Sequence, residues 1–369
     1  MKTTTVDVQS ANGTATLSVS KTDRSRLAGA NLDEPGFGTL FSDHMAVMAY
    51  RDGAWHTPEI TPYDNFNCPP SLIALHYGQS VFEGMKAFRM ADGTVSLYRP
   101  KEHFERLGRS CRRLCIPEPD SRQLLDTLIA LIRTDIGWVP SKRGNALYVR
   151  PLIFGSDAFL GVRPSNTYTC LIMTSPVGAY YKEGINPVRL TTDASHIRAA
   201  RGGTGSVKTA GNYAPTLLPA RKAQENGFTQ ILWLDAKEHR YIEEVGTMNI
   251  FFKFKDKLVT PPAEGTILPG IIRDSVIQLA GEMGVNVEQR PITIDEVFES
   301  RKSGELEEIF GSGTAAVISP VGSITHNGEE LTIDMEKPGP FTQTLYNEIT
   351  AIQYGEKDDL FSWMLPVVD

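Results

Sequence analysis

Residues 85–100 read MKAFRMADGTVSLYRP. Met85–Arg89 and Val95–Tyr98 are short runs of strand type, and Asp92-Gly93 between them supplies the positive φ of a tight hairpin. Pro100 then stands where a helix favours proline, at its first position. Beyond it Phe104, Leu107, Cys111, Leu114 and Cys115 recur at helical spacing and predict a buried stripe, both cysteines included. Strand, turn, strand and helix in one run point to an α+β fold. Upstream, residues 45–50 followed by Asp52-Gly53 read as another hairpin. Downstream, Asp120 can cap a helix bearing Leu124, Leu125, Leu128, Ile129 and Ile132, and strands follow at 146–154 and 168–174.

The second half repeats the mixture. A strand at Val188–Thr192 leads into a polar, glycine-rich loop at 201–211. A helix is expected from near Asn212 to Gly227, and others at 273–283 and 341–354. Strands are expected at 230–235, 249–254, 308–310 and 316–320. At roughly 150 residues per domain, 369 residues suggest two domains. The expected organisation is an N-terminal extension (1–35) with one strand at 16–19, a small α/β domain (36–181), a linker (182–188) and a larger domain (189–369). The extension is poor in large apolar residues, so order is expected to begin near Phe37.

Composition narrows the function. The net charge of −7, with no long block of one sign, argues against a nucleic-acid surface. No apolar run approaches the roughly 20 residues of a membrane helix, so no membrane partner is expected. The opening MKTTTVDVQS lacks an apolar signal region. Cys68, Cys111, Cys115 and Cys170 form no CxxC pair and read as reduced, mostly buried thiols of a cytoplasmic protein. The histidines form no HxxxH, so no metal site is expected.

The most unusual stretch is Gly202–Tyr213, GGTGSVKTAGNY, which holds one lysine, Lys208, among small residues. It nearly matches the phosphate-loop pattern GxxxxGK[ST], but Val207 stands where the second glycine must be. An ordinary solvated turn with a surface lysine fits the same letters. So does a Schiff-base lysine, with small neighbours that let a flat ring approach the backbone. Three further segments favour the last reading. Glu243-Glu244 opens an apolar strand, and adjacent strand residues face opposite ways, so one carboxylate can turn inward. Leu268-Pro269-Gly270-Ile271-Ile272 feeds a turn into a helix start, where N–H groups favour an anion. Gly311-Ser312-Gly313-Thr314-Ala315 is a glycine turn with a hydroxyl, able to hold phosphate or carboxylate.

Taken with Leu75–Phe88 (LHYGQSVFEGMKAF), these segments occur in an order and spacing that resemble the branched-chain amino-acid aminotransferases, members of the fold-type-IV pyridoxal-phosphate enzymes. The resemblance covers about residues 35–360. It implies the two-domain fold of that class and pyridoxal 5'-phosphate as cofactor. It implies transfer of the amino group of L-leucine, L-isoleucine or L-valine to 2-oxoglutarate. A D-amino-acid aminotransferase or an aminodeoxychorismate-lyase-like enzyme is the alternative within the class. By the resemblance, Lys208 is the catalytic lysine that joins the cofactor aldehyde and moves the proton. That is general acid–base work, which needs a lysine partly neutral near pH 7. Glu244 serves the ring nitrogen and Tyr213 the ring hydroxyl. Arg106, the N–H groups of Ile271 and Ile272, and Thr314 hold the phosphate; as a bare sequence feature, Arg106 also reads as a solvated helix residue. Phe37, Phe82, Tyr148 and Tyr180 line the substrate pocket, with Arg150 near the glutamate carboxylate and Thr314–Ala315 under the α-carboxylate. Tyr77, Leu160 and Val162 match residues that reach a partner's site, which implies a homodimer. Some family members carry a redox CxxC after the glycine turn; Ala316 and Ser319 occupy those positions here, so no such switch is expected.

Overall fold

The computed structural model describes residues 2–10, 13–178 and 185–367. Tyr180 and part of the expected linker lie outside the described residues. The chain divides into two compact units. The first comprises residues 1–179, Lys208–Ala210 and Ile352–Asp369; the second comprises Tyr180–Val207 and Gly211–Ala351. Helices plus mixed sheets make the fold α+β.

The first unit is built on an 11-stranded sheet. Its main path runs Lys2–Ser10, Gly13–Lys21, Glu59–Pro62, His44–Arg51, Tyr168–Val177, Ala146–Gly155, Met85–Arg89, Val95–Tyr98 and Met364–Pro366. The turn at Asp52-Gly53 has φ of 55° and 79°, the doubly positive geometry that Asp-Gly adopts readily. Helix Pro100–Arg113 starts on Pro100, as its fixed φ favours. Helix Ser121–Thr134 is capped by the Asp120 carboxylate, which accepts the N–H groups of Arg122 (2.8 Å) and Gln123 (3.2 Å). Both helices set Phe104, Leu107, Cys111, Leu124, Leu128 and Leu131 into one core against the sheet.

Two expectations fail in this unit and one in the other, each for a local reason. Residues 1–35 are not a loose extension with one strand: Lys2–Ser10 pairs antiparallel with Gly13–Lys21, and Leu17 and Val19 are buried in the core. Alternation of small β-branched residues made the pair look polar, although only one face needs apolar side chains. Cys115 is exposed, because the helix ends at Arg113 and Cys115 turns to φ 56°. Finally, the segment after Asn212 is not helical at once. Two short 3₁₀ turns, Ala210–Asn212 and Ala214–Thr216, precede helix Leu217–Glu225, in keeping with Pro215 in that stretch.

The second unit carries a 9-stranded mixed sheet. Its path is Ile242–Val245, Gln230–Leu234, Val188–Thr192, Val317–His326, Leu306–Gly313, Asn249–Phe254, Lys257–Thr260 and Asn286–Gln289. Val188–Thr192 runs parallel to both neighbours. Helices Ile271–Glu282 and Ile294–Lys302 belong to this unit, with Ile294 and Val297 in its core. Among the described residues no helix is long and apolar enough to cross a membrane.

Candidate active site

In the first unit, the tripeptide Lys208–Ala210 is held at the strand Ser80–Phe82. Thr209 bridges to Val81, the Phe82 N–H donates to the Lys208 carbonyl (3.1 Å), and the Thr209 hydroxyl donates to the Ser80 carbonyl (2.7 Å). The Lys208 N–H donates to Ser110 Oγ at 3.0 Å. Its Nζ sits 5.1 Å from the centroid of the Phe82 ring. A lysine whose neighbour enters a β-bridge, with its own N–H spent on a serine, does not open a phosphate-loop helix, and it is half-buried rather than a solvated surface lysine.

Arg106 is buried, not solvated: it is 4% exposed and forks onto Glu83 through Nε (2.7 Å) and Nη2 (2.9 Å). Burial pushes the Glu83 carboxyl up, but Arg106 and His103 outweigh it and hold the group far below the usual carboxylate range. His103 reaches the same carboxylate through Nδ1 at 2.8 Å. Burial pulls His103 down and Glu83 only partly restores it.

The face of strand Ala146–Gly155 that carries Tyr148, Arg150 and Leu152 gathers the expected substrate residues. Arg150 Nη2 donates to Tyr148 Oη (3.1 Å), and its guanidinium lies 4.8 Å from the Phe82 ring centroid and 5.4 Å from that of Tyr148. Phe37 meets Tyr148 edge-on at 5.4 Å. Arg150 Nε is buried with no hydrogen-bond partner among the described residues, an unmet donor that suits an anion. A Cβ on Gly84 would lie 1.8 Å from Tyr148 Oη, so glycine is required for this approach. Tyr77, Leu160 and Val162 are exposed, and the Tyr77 hydroxyl donates to the Leu160 carbonyl.

In the second unit, Glu244 is 3% exposed. Its Oε2 pairs with Arg198 Nε at 3.1 Å, and its Oε1 accepts the Leu268 N–H at 2.8 Å. Glu244, Arg198, Tyr213, Asn212 and Leu268 line one small cavity. Glu243 turns to a different cleft with Arg201, Lys237 and Thr266. There it accepts the Thr266 hydroxyl, and burial raises its carboxyl. The strand alternation therefore separates the two acids as expected.

The glycine loop is stapled by Asn212. Its Nδ2 donates to the carbonyls of Thr204 and Val207 (both 2.8 Å), and its Oδ1 accepts the Thr204 hydroxyl (2.6 Å). Ile271 and Ile272 are the first residues of helix Ile271–Glu282, ahead of the first intrahelical bond from the Asp274 N–H to Gly270 (3.0 Å). A Cβ on Gly270 would fall 2.0 Å from Asn249 Oδ1, so this helix start leaves no room for a side chain. Thr314 and Ala315 lie half-buried in the turn between Leu306–Gly313 and Val317–His326. Ser312 Oγ beside them is buried without a partner among the described residues.

Sequence reasoning missed Glu83, His103, Ser110, Arg198, Asn212 and Lys86. Lys86 pairs in register with Tyr148 and is 8% exposed. Burial lowers its amine to about 8. The available signal was a charge inside the run MKAF, the same cue that singled out Arg150.

Within the first unit, an amine and a buried arginine suit an aldehyde and a phosphate; within the second, a helix start suits a phosphate, and an ion-paired carboxylate and a phenol suit a flat, protonated ring. Comparison with known proteins agrees. Residues 80–324 match the family amino-transferase class IV. The chain is 49% identical to branched-chain-amino-acid aminotransferase 2 of Bacillus subtilis (strain 168), over 90% of this chain and 92% of the relative. It is 45% identical to the branched-chain-amino-acid aminotransferase of Mycolicibacterium smegmatis, over 90% and 92% respectively. Among solved structures, the branched-chain amino acid aminotransferase of Escherichia coli superposes with a TM-score of 0.73 at 27% identity, covering 88% of this chain and 99% of that one. A T.th. branched-chain amino acid aminotransferase, solved with pyridoxamine 5'-phosphate, superposes with a TM-score of 0.71 at 27% identity, covering 87% and 98%.

Proposed function

The chain belongs to the class IV aminotransferases, among the branched-chain-amino-acid aminotransferases, and from that membership we propose that it moves the amino group of L-leucine, L-isoleucine or L-valine onto 2-oxoglutarate. The products are the branched-chain 2-oxo acids and L-glutamate. Relatives 45–49% identical carry the branched-chain name, so the D-amino-acid aminotransferase and lyase alternatives are not favoured.

Pyridoxal 5'-phosphate, when bound, supplies an aldehyde for the amino group and a protonated ring that takes up the electron pair of the broken Cα–H bond. In the first unit, Lys208 would hold that aldehyde, and its Nζ would carry the proton taken from the substrate Cα. Arg106 takes the phosphate in a charge-assisted contact. In the second unit, Glu244 serves the ring nitrogen and Tyr213 the ring hydroxyl. Ile271 and Ile272 offer helix-start N–H groups, and Thr314 a hydroxyl, to phosphate. In the first unit, Arg150, with its unmet Nε, receives the distal carboxylate of glutamate, while Phe37, Phe82 and Tyr148 exclude water around the aliphatic chain. Thr314 and Ala315 carry the α-carboxylate. The observation that most supports this reading is the ion pair of Glu244 with Arg198 in one cavity with Tyr213, because a protonated ring nitrogen needs a fixed carboxylate.

The finer placement is a cytoplasmic homodimer. Leu75, Tyr77, Phe159, Leu160 and Val162 are large, apolar and exposed on the first unit, at 40% or more, a pattern that suits cover by a second copy. Val162→Asp should shift sedimentation to the monomer and cost activity; a fully active dimer would refute this assignment.

The test of the activity is the absorbance spectrum of purified protein before and after L-leucine. The cofactor band should convert on L-leucine and not on D-alanine, and Lys208→Ala should abolish turnover. Full activity in that variant would overturn the assignment of Lys208.

A further inference from the structure

We propose that Glu83 and Ser110 are positioning residues of the reaction, tying the Arg106 guanidinium and the Lys208 backbone to each other through one helix. The proposal rests on the reading that Arg106 takes the cofactor's phosphate and Lys208 its aldehyde, since those two ends must keep a fixed separation.

The tie is continuous. Arg106 and Ser110 stand one turn apart in helix Pro100–Arg113, on the same face. The Ser110 hydroxyl donates to the Arg106 carbonyl (3.0 Å), and its oxygen accepts the Lys208 N–H (3.0 Å). The lysine's carbonyl accepts from Phe82, the residue before Glu83. Glu83 then closes the loop by accepting from Arg106 Nε and Nη2 at 2.7 and 2.9 Å. Glu83 and Ser110 are both 0% exposed, so water cannot replace either partner.

The chemistry gives the two residues separate tasks. A planar guanidinium held through Nε and Nη2 has its plane and direction set. Glu83 is ionised and can only accept, so His103 Nδ1 carries the proton that reaches it (2.8 Å). His103 thus holds Glu83 in place without adding charge. Ser110 acts on Lys208 through the backbone N–H, and its own proton goes to the Arg106 carbonyl rather than to the guanidinium. Without its oxygen, the Lys208 N–H loses an acceptor that nothing in a dry helix face replaces.

The variants Glu83→Gln, Ser110→Ala, Ser110→Thr and Arg106→Ala distinguish the possibilities. The readouts on holoenzyme are the cofactor dissociation constant, the ³¹P resonance of bound cofactor, and the rate at which borohydride fixes the label on Lys208. Glu83→Gln should weaken cofactor binding at least tenfold and shift the ³¹P resonance. Ser110→Ala should slow labelling of Lys208 about fivefold or more while leaving the ³¹P resonance in place, and Ser110→Thr should restore the rate. If Arg106→Ala binds cofactor normally, the phosphate reading fails and this inference falls with it. If Arg106→Ala loses affinity while Glu83→Gln and Ser110→Ala both stay within twofold of the parent, the inference alone is overturned. Should Glu83→Gln fail to fold, Ser110→Ala, which removes one oxygen, decides the matter with its Thr partner.

Discussion

Replacing Lys86 by methionine should make the protein more stable at neutral pH. The side chain is buried on the sheet opposite Tyr148, and burial lowers its amine from an ordinary 10.5 to about 8. That drop corresponds to about 3 kcal/mol of penalty on the charged form. The sign follows from linkage. Below pH 8 the amine is charged in both folded and unfolded chains, and the full penalty stands. Between 8 and 10.5 the folded chain has released a proton that the unfolded chain still binds, so stability rises with pH. Above 10.5 both are neutral and the penalty is gone. Methionine has similar length and no charge, so the variant lacks this rise. Thermal unfolding of both proteins from pH 7 to 10.5 measures the effect. The variant should lead by about 2–3 kcal/mol at pH 7, and the lead should close toward pH 10.5. Parallel pH profiles, or a variant less stable at pH 7, would refute the reasoning. A charge kept at such a cost points to use at a site, and activity should fall as stability rises.

Other substitutions probe different links. Gly84→Ala drives a methyl onto Tyr148 Oη, now 1.8 Å from the ideal Cβ position. It should raise KM for L-leucine at least tenfold, on the order of 1.4 kcal/mol, with the fold intact by circular dichroism. Glu244→Gln leaves Arg198 as a buried charge without its partner; kcat should drop by about 10²–10³, read in steady-state assays. Leu17→Ala empties a fully buried place in the core and should cost about 2–5 kcal/mol by chemical denaturation; a change under about 0.5 kcal/mol, the scale of an ordinary surface substitution, would mean the N-terminal hairpin contributes little.

Legibility varied with the kind of signal. The hairpin at Asp52-Gly53 and the helix entered at Pro100 were readable because a turn residue or proline restricts φ locally, whatever lies around it. The alternation that sends Glu243 and Glu244 to different cavities is also local geometry. The N-terminal hairpin was not readable, since Thr-rich strands become core only when sequence-distant residues pack over the face that carries Leu17 and Val19. Cys115 shows the limit of periodicity: the spacing continued past Arg113, but the helix did not.

Taken alone, the chain's letters determined the α+β class, the lysine loop and the order of the motif segments, because each depends on neighbours a few residues apart. The tertiary structure alone decided which charges are buried and paired. Glu83 with Arg106, 23 positions on, and Glu244 with Arg198, 46 positions back, are read only from the folded chain. Desolvation and ion pairing act through space, so the burial that makes a charge costly, and the partner that offsets it, exist only once distant segments have packed.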